Sequence, residues 1–352
     1  MSLRLRAMFH VAILVVTLLG VSKGALAAGR SQVIRREIHS TRFENTKIGT
    51  VPFRRFMVYL PPDYDPSSRG YPVIYYMPDA IEGYKSPFET QQAEELFDSA
   101  IAHGIVGRFI FVSVDMNTPV ASSWCVNSPV TGNWEDFVVE ELVPYMDSNF
   151  KTLANRDSRG IAGDRVGAYC ALRLAMRRPD VFGSVYGMDP VGAGSGEQIL
   201  GSRPNWDLLM TAKSIDEVRK DSSSTIFLSI FQAFLPDPVK APLFIDLPAR
   251  REGDRMVIDA NLNERLSQNF FLESMIPQYA DKMKSLRGIK FDWGHRDPDH
   301  GYSNQAFTRR VNDFGIPHEV EAYKVGSGDR IWGEDGRIYT EVLPFFRRRL
   351  AF

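Results

Sequence analysis

The sequence predicts an α/β fold: a mostly parallel sheet with helices on both faces and an inserted cap region. Three observations carry it. Short apolar runs rich in β-branched and aromatic residues alternate with helical patterns, and the alternation breaks over about residues 191–284. Ile38 and the alternation from Phe53 to Tyr59 make the first thirty residues after Ser31 β-rich, and Leu60-Pro61-Pro62 stops them. Pro72 opens Val73-Ile74-Tyr75-Tyr76-Met77, whose unbroken apolar character is that of a strand covered on both faces. Gln91 to His103 has helical spacing and ends at Gly104. Phe109 to Val114 is a second continuous strand, and Trp134 to Phe150 reads as an amphipathic helix. Ile161-Ala162 is a short strand before Gly163, Ala168 to Arg178 a helix halted by Pro179, and Val185 to Met188 a further strand. Inside the break, Leu208 to Lys220 is helical, Phe234 to Pro248 is Pro-rich, and helix resumes after Asn261. Ile289 to Asp292 returns to the sheet and Ser303 to Phe314 is a helix ended by Gly315. His318 to Tyr323 is the last strand, and Tyr339 to Leu350 closes as a helix.

The 352 residues are 44% hydrophobic and 24% charged, which excludes disordered, collagen-like and coiled-coil architectures. Lys and Arg number 42 against 43 Asp and Glu, so charge gives no support for a nucleic-acid partner. Arg4 and Arg6, the apolar run Val11 to Val21 and Ala25-Leu26-Ala27 have the order of a cleavable signal peptide over residues 1–27. The run is shorter than the ~20 apolar residues that span a bilayer. A cleaved signal is therefore preferred to an uncleaved tether, with no stable membrane span afterwards. Residues 28–352 are then expected as one domain, with a cap at about 191–284, in the periplasm or outside the cell.

Export makes a disulfide chemically possible, yet Cys125 and Cys170 are expected as small buried side chains rather than as a pair. The six histidines show no i, i+4 pair. His295 and His300, close to Asp292, Asp297 and Asp299, read as loop residues rather than a metal site. No metal and no cofactor is expected.

Chemistry is expected where strand, sharp turn and helix meet at Gly163-Asp164-Arg165-Val166-Gly167, because two glycines at that spacing suit a nucleophile elbow. Gly160 to Leu172 and five further segments together resemble the esterase family of α/β-hydrolases. The others are Val58 to Tyr64, Asn127 to Phe137, Arg178 to Gly183, Ala233 to Pro248 and Leu343 to Phe346. That family includes S-formylglutathione hydrolase, enterochelin and feruloyl esterases, and mycolyltransferases. The resemblance covers nearly all of the chain after residue 27. It implies an α/β-hydrolase fold and carboxylesterase or acyltransferase chemistry from a Ser, a His and an acid.

Three positions depart from what the resemblance implies. The nucleophile position is Arg165, whose guanidinium stays protonated and has no lone pair to offer. The position of the catalytic His falls at Arg330, in Gly328-Asp329-Arg330, and no histidine follows His318, which is expected to pack at the start of the last strand. The turn that would help hold an oxyanion reads Met77-Pro78-Asp79-Ala80, and a carboxylate there repels developing negative charge. The triad acid matches Asp297. Ser128, Cys170 and Ser327 are weaker readings as relocated nucleophiles, with Cys170 expected as an inert thiol inside the elbow helix.

The expectation is a secreted esterase-family homologue that has lost serine-hydrolase activity and binds a ligand or partner in the old pocket. The alternative is an active carboxylic-ester hydrolase or acyltransferase using residues outside the family's set. A cation at a helix N-terminus opposes the macrodipole by ~0.3–1 kcal/mol, so Arg165 is expected among Asp79, Asp164 and Asp297, with Asp329 and Arg330 in the same cluster. Arg165, Arg330, Asp79, Trp124 and Trp134 are the candidate ligand-binding residues. The expected ligand is an anionic or acyl small molecule, since arginine suits carboxylate and phosphate groups.

Overall fold

Eight strands pair into one sheet in the computed structural model, which describes residues 29–195, 204–295, 298–324 and 331–352. Residues 1–27, Asp297, Ser327, Asp329 and Arg330 lie outside the described residues. The strands are β1 (Gln32–His39), β2 (Phe53–Leu60), β3 (Val73–Met77), β4 (Ile110–Val114), β5 (Arg159–Asp164), β6 (Ser184–Met188), β7 (Gly288–Gly294) and β8 (Glu319–Tyr323). Their spatial order is β1-β2-β4-β3-β5-β6-β7-β8. β2 pairs antiparallel with both β1 and β4, and every later pairing is parallel. Strands β3 to β7 are buried along their whole length, which is why they read as continuous apolar runs rather than alternations.

Side-chain alternation divides the interior in two. Val73, Tyr75 and Met77 point to one core, while Ile74 and Tyr76 point to the other. Helix α1 (Ala93–Ala102) and the C-terminal helix cover the second face, and the elbow helix, Val166–Arg177, covers the first. Two helices expected as uniform contain a wider π turn: 134–149 at Phe137–Leu142, and 338–349 at Ile338–Val342. Each π turn ends just before a proline, Pro144 or Pro344, whose missing N–H a plain α ladder could not accommodate.

Between β6 and β7 the chain leaves the sheet. The helix expected from Leu208 to Lys220 is two short pieces, Trp206–Thr211 and Ile215–Val218, because the Ser214 side chain caps a new start by accepting from Glu217 N–H. A long helix at Ser222–Phe234 follows, which the sequence reading missed. Its first turn is Ser-Ser-Ser-Thr, a loop-like composition, and Asp221 makes it a helix by accepting from Ser224 N–H. An antiparallel ribbon, Ala249–Glu252 with Arg255–Ile258, and helices Ala260–Phe270 and Leu272–Lys284 complete this region.

Cys125 and Cys170 form a disulfide with Cα atoms 5.4 Å apart, correcting the expectation of unpaired thiols. The bridge was not legible because the two residues are 45 positions apart and meet only through the fold. It ties the loop before Asn127 to the elbow helix.

Candidate active site

Strand β5 delivers the chain to a turn that only glycine tolerates at two points. A Cβ on Gly163 would lie 2.2 Å from the Gly167 carbonyl oxygen, and one on Gly167 would lie 1.9 Å from that of Met77. Between them Arg165 takes φ +48° and ψ −107°, a strained conformation for a residue with a side chain. The backbone holds it there: Arg165 N–H donates to the Met188 carbonyl at 2.9 Å, and Tyr169 N–H donates to the Arg165 carbonyl at 3.0 Å. Arg165 thus stands at the C-terminal edge of the parallel strands, where open α/β sheets place their ligands.

The Asp79 carboxylate, from the end of β3, lies over the start of the same helix. Its Oδ1 accepts from Val166 N–H at 3.4 Å, and the carboxylate also accepts from Ala80 and Ile81 N–H. Burial nevertheless raises the Asp79 carboxyl above its ordinary range, against those donors and the Arg165 charge. Asp164 is 3% exposed and is pushed well above the usual carboxylate range, by burial first and then by Asp79, with Arg165 opposing. Burial also raises Glu82, again against Arg165. Among the described residues, the Arg165 guanidinium therefore acts on three carboxyl groups.

Two clefts flank Arg165 and share Asp79, Ile81 and Arg165 as their common wall. One, of about 340 Å³, is otherwise lined by Glu82, Gln91, Asp164, Ile331 and Trp332. The other, of about 280 Å³, is mainly apolar, with Trp124, Ile226, Phe227, Ile230 and Phe270 in its lining. His300 borders the apolar cleft, with Nδ1 3.3 Å from Asp189 Oδ2. Asp189 is fully buried, takes φ +50° and donates its N–H to the Asp292 carbonyl at 2.7 Å.

Trp124 lines the apolar cleft, and its Nε1–H donates to Ser229 Oγ at 3.0 Å. Trp134 lines neither cleft, contrary to its expected ligand-binding place. It is sealed in the core, donates Nε1–H to the Thr131 carbonyl at 3.1 Å and carries the Arg54 guanidinium 4.9 Å over its ring. The expected cluster with Asp297, Asp329 and Arg330 falls outside the described residues. Ser128 is structural, its Oγ donating to the buried Gln232 carbonyl at 2.7 Å, and Cys170 is tied up in the disulfide. His318 stacks on Phe291. His300 was read as loop decoration and is instead a wall residue on a helix, Pro298–Asp313. Its partner Asp189 lies 111 residues away in sequence, so no local pattern announced the pair.

The family model described as "Putative esterase" matches residues 53–225. Two esterases from strains of Mycobacterium tuberculosis are each 27% identical over 285 residues, which cover 79% of this chain and 53% of theirs. The backbone superimposes on a ferulic acid esterase with a TM-score of 0.64 at 18% identity, over 92% of this chain and 99% of that one. The chain is homologous to the esterase family and has the α/β-hydrolase fold. An S-formylglutathione hydrolase from Agrobacterium tumefaciens shares the fold as well, with a TM-score of 0.59 at 12% identity over 92% of this chain and 98% of that one. The chain spans about half the length of the curated relatives it matches. Arg165 stands at the turn between Gly163 and Gly167, within the segment that the family model matches.

Proposed function

We propose that this chain is an exported esterase homologue that has lost serine-hydrolase chemistry and binds a small molecule in the cleft around Arg165. The observation that carries this reading is the pairing of two features at the elbow: a protonated guanidinium stands at the nucleophile position, and Val166 N–H is turned toward the Asp79 carboxylate. In acyl transfer, the donor following the nucleophile serves the developing oxyanion. Here it is occupied by a carboxyl oxygen from within the chain. The same electrostatics weigh against the anionic ligand expected from sequence, because a carboxylate approaching Arg165 would face Asp79, Glu82 and Asp164. An acyl-like or aromatic body fits the apolar cleft lined by Trp124, Phe227 and Phe270.

The test is a panel of short p-nitrophenyl esters and a fluorophosphonate label on the purified protein. Neither turnover nor labelling is expected, and Arg165→Ser alone is expected to restore neither while Asp79 keeps Val166 N–H. A labelled Ser whose alanine variant abolishes ester turnover would overturn the reading in favour of an active hydrolase.

The His300–Asp189 pair favours a second reading, direct hydrolysis by a water activated at His300, since an imidazole backed by a carboxylate is a general-base arrangement. It predicts ester turnover without a covalent label, lost in His300→Ala.

A further inference from the structure

The polar cleft beside Arg165 inverts the charge preference of an acyl-transfer site. We propose that it binds the head of an organic cation, a protonated amine with a small apolar or aromatic body, between Asp164, Glu82 and the Trp332 ring. This rests on the reading that the cleft binds rather than hydrolyses, and it names the class of ligand.

Three independent features support the assignment. First, the charged groups lining the cleft among the described residues are Asp79, Glu82 and Asp164 against Arg165, three potential negative charges to one positive. Second, Asp164 lines the cleft while 3% exposed, and its Oδ1 has no hydrogen-bond partner; Glu82 Oε2 is likewise buried without one. A buried acceptor left unmatched is unfavourable, more so when charged, and an ammonium N–H on a ligand removes that penalty. Third, the rest of the wall suits the body of such a ligand. Ile81 and Ile331 are apolar, and Trp332 offers an indole, the ring type that attracts cations most strongly.

A bare divalent metal fits less well. It would need several oxygen ligands converging at about 2.0–2.6 Å, and no group of three His, Cys, Asp or Glu among the described residues is so arranged. At about 340 Å³ the cleft instead has room for a benzylammonium-sized molecule.

Ligand-observed NMR on the full chain at neutral pH, with benzylammonium, phenylacetate and benzyl alcohol at equal concentration, tests the proposal. Benzylammonium is expected to bind best. Removing one charge-assisted bond in Glu82→Gln should weaken it about tenfold or more. Asp164→Asn should do the same, and Glu82, being only partly buried, keeps the test open should the Asp164 variant not fold. Arg165→Ala, which removes the competing cation and adds no backbone strain beyond that of arginine, should tighten benzylammonium binding.

Phenylacetate binding in preference to benzylammonium would overturn the cation proposal and leave the ligand-binding reading intact. Equal binding to wild type and Glu82→Gln, or weaker benzylammonium binding in Arg165→Ala, would also overturn it. Failure of all three probes to bind would overturn both readings. Ester turnover with intact benzylammonium binding would overturn only the loss of hydrolysis.

Discussion

The elbow shows how far single residues could be read. Gly163 and Gly167 announced the turn because their spacing is a steric requirement, and Arg165 was placed by counting between them. Asp79 was flagged from its position after an apolar strand, but its bond to Val166 N–H depends on how two strands meet and has no signature in sequence. Trp134 misled because an aromatic near a family-like segment is equally suited to a core; Asp189 went unread and His300 was read as a loop residue because the two meet across 111 positions of sequence. The glycine argument makes a quantitative prediction. Gly167→Ala puts a methyl 1.9 Å from the Met77 carbonyl oxygen, where only backbone could yield. The loss should exceed about 3 kcal/mol, the upper end for ordinary single substitutions. Thermal unfolding of the variant would show a midpoint close to wild type if the turn were looser than described.

At the scale of elements, sheet strands were legible, and between β6 and β7 the helix after Asn261 was read while the helix Ser222–Phe234 and the ribbon were not. A strand buried on both faces is written as consecutive apolar residues, so β3, β4 and β6 could be bounded to within a residue or two. Cap helices such as Ser222–Phe234 are defined at their starts by a single capping bond, and the ribbon Ala249–Ile258 is made largely of exposed charged residues. The disulfide supplies what the loop before Asn127 lacks. Trp124 and Cys125 both take positive φ, at +55° and +53°, and the bridge fastens that strained pair to the elbow helix. Closing a segment of 45 residues stabilises by roughly 4 kcal/mol in the chain-entropy account. The double variant Cys125→Ala, Cys170→Ala should therefore unfold several degrees lower, and an unchanged midpoint would mean the bridge contributes nothing to the folded chain.

Over the whole molecule, strand order could not be read from the sequence, since β4 lies between β2 and β3 by a crossover that only packing decides. The same assembly buries Asp292 completely against Tyr186 OH and Arg337, with Arg337 also held by Glu321. Burial pushes the Asp292 carboxyl up to about 6, with Arg337 pulling the other way. The folded state then binds more protons than the unfolded state between about pH 4 and 6, so this group's contribution to stability falls as pH rises through that window. Denaturant unfolding at pH 4, 5, 6 and 7 should show wild type losing ground to Asp292→Asn up to about pH 6 and holding level above it. A difference independent of pH would remove the protonation from the account.

The turn at residue 165 is fastened by its glycines and by main-chain bonds to Met188 and Tyr169, none of which involves the side chain it presents. Such a socket is indifferent to what is plugged into it. Replacing residue 165 with each amino acid other than proline, which lacks the N–H that bonds Met188, should sort the products by what they bind or react with, far more than by whether they fold.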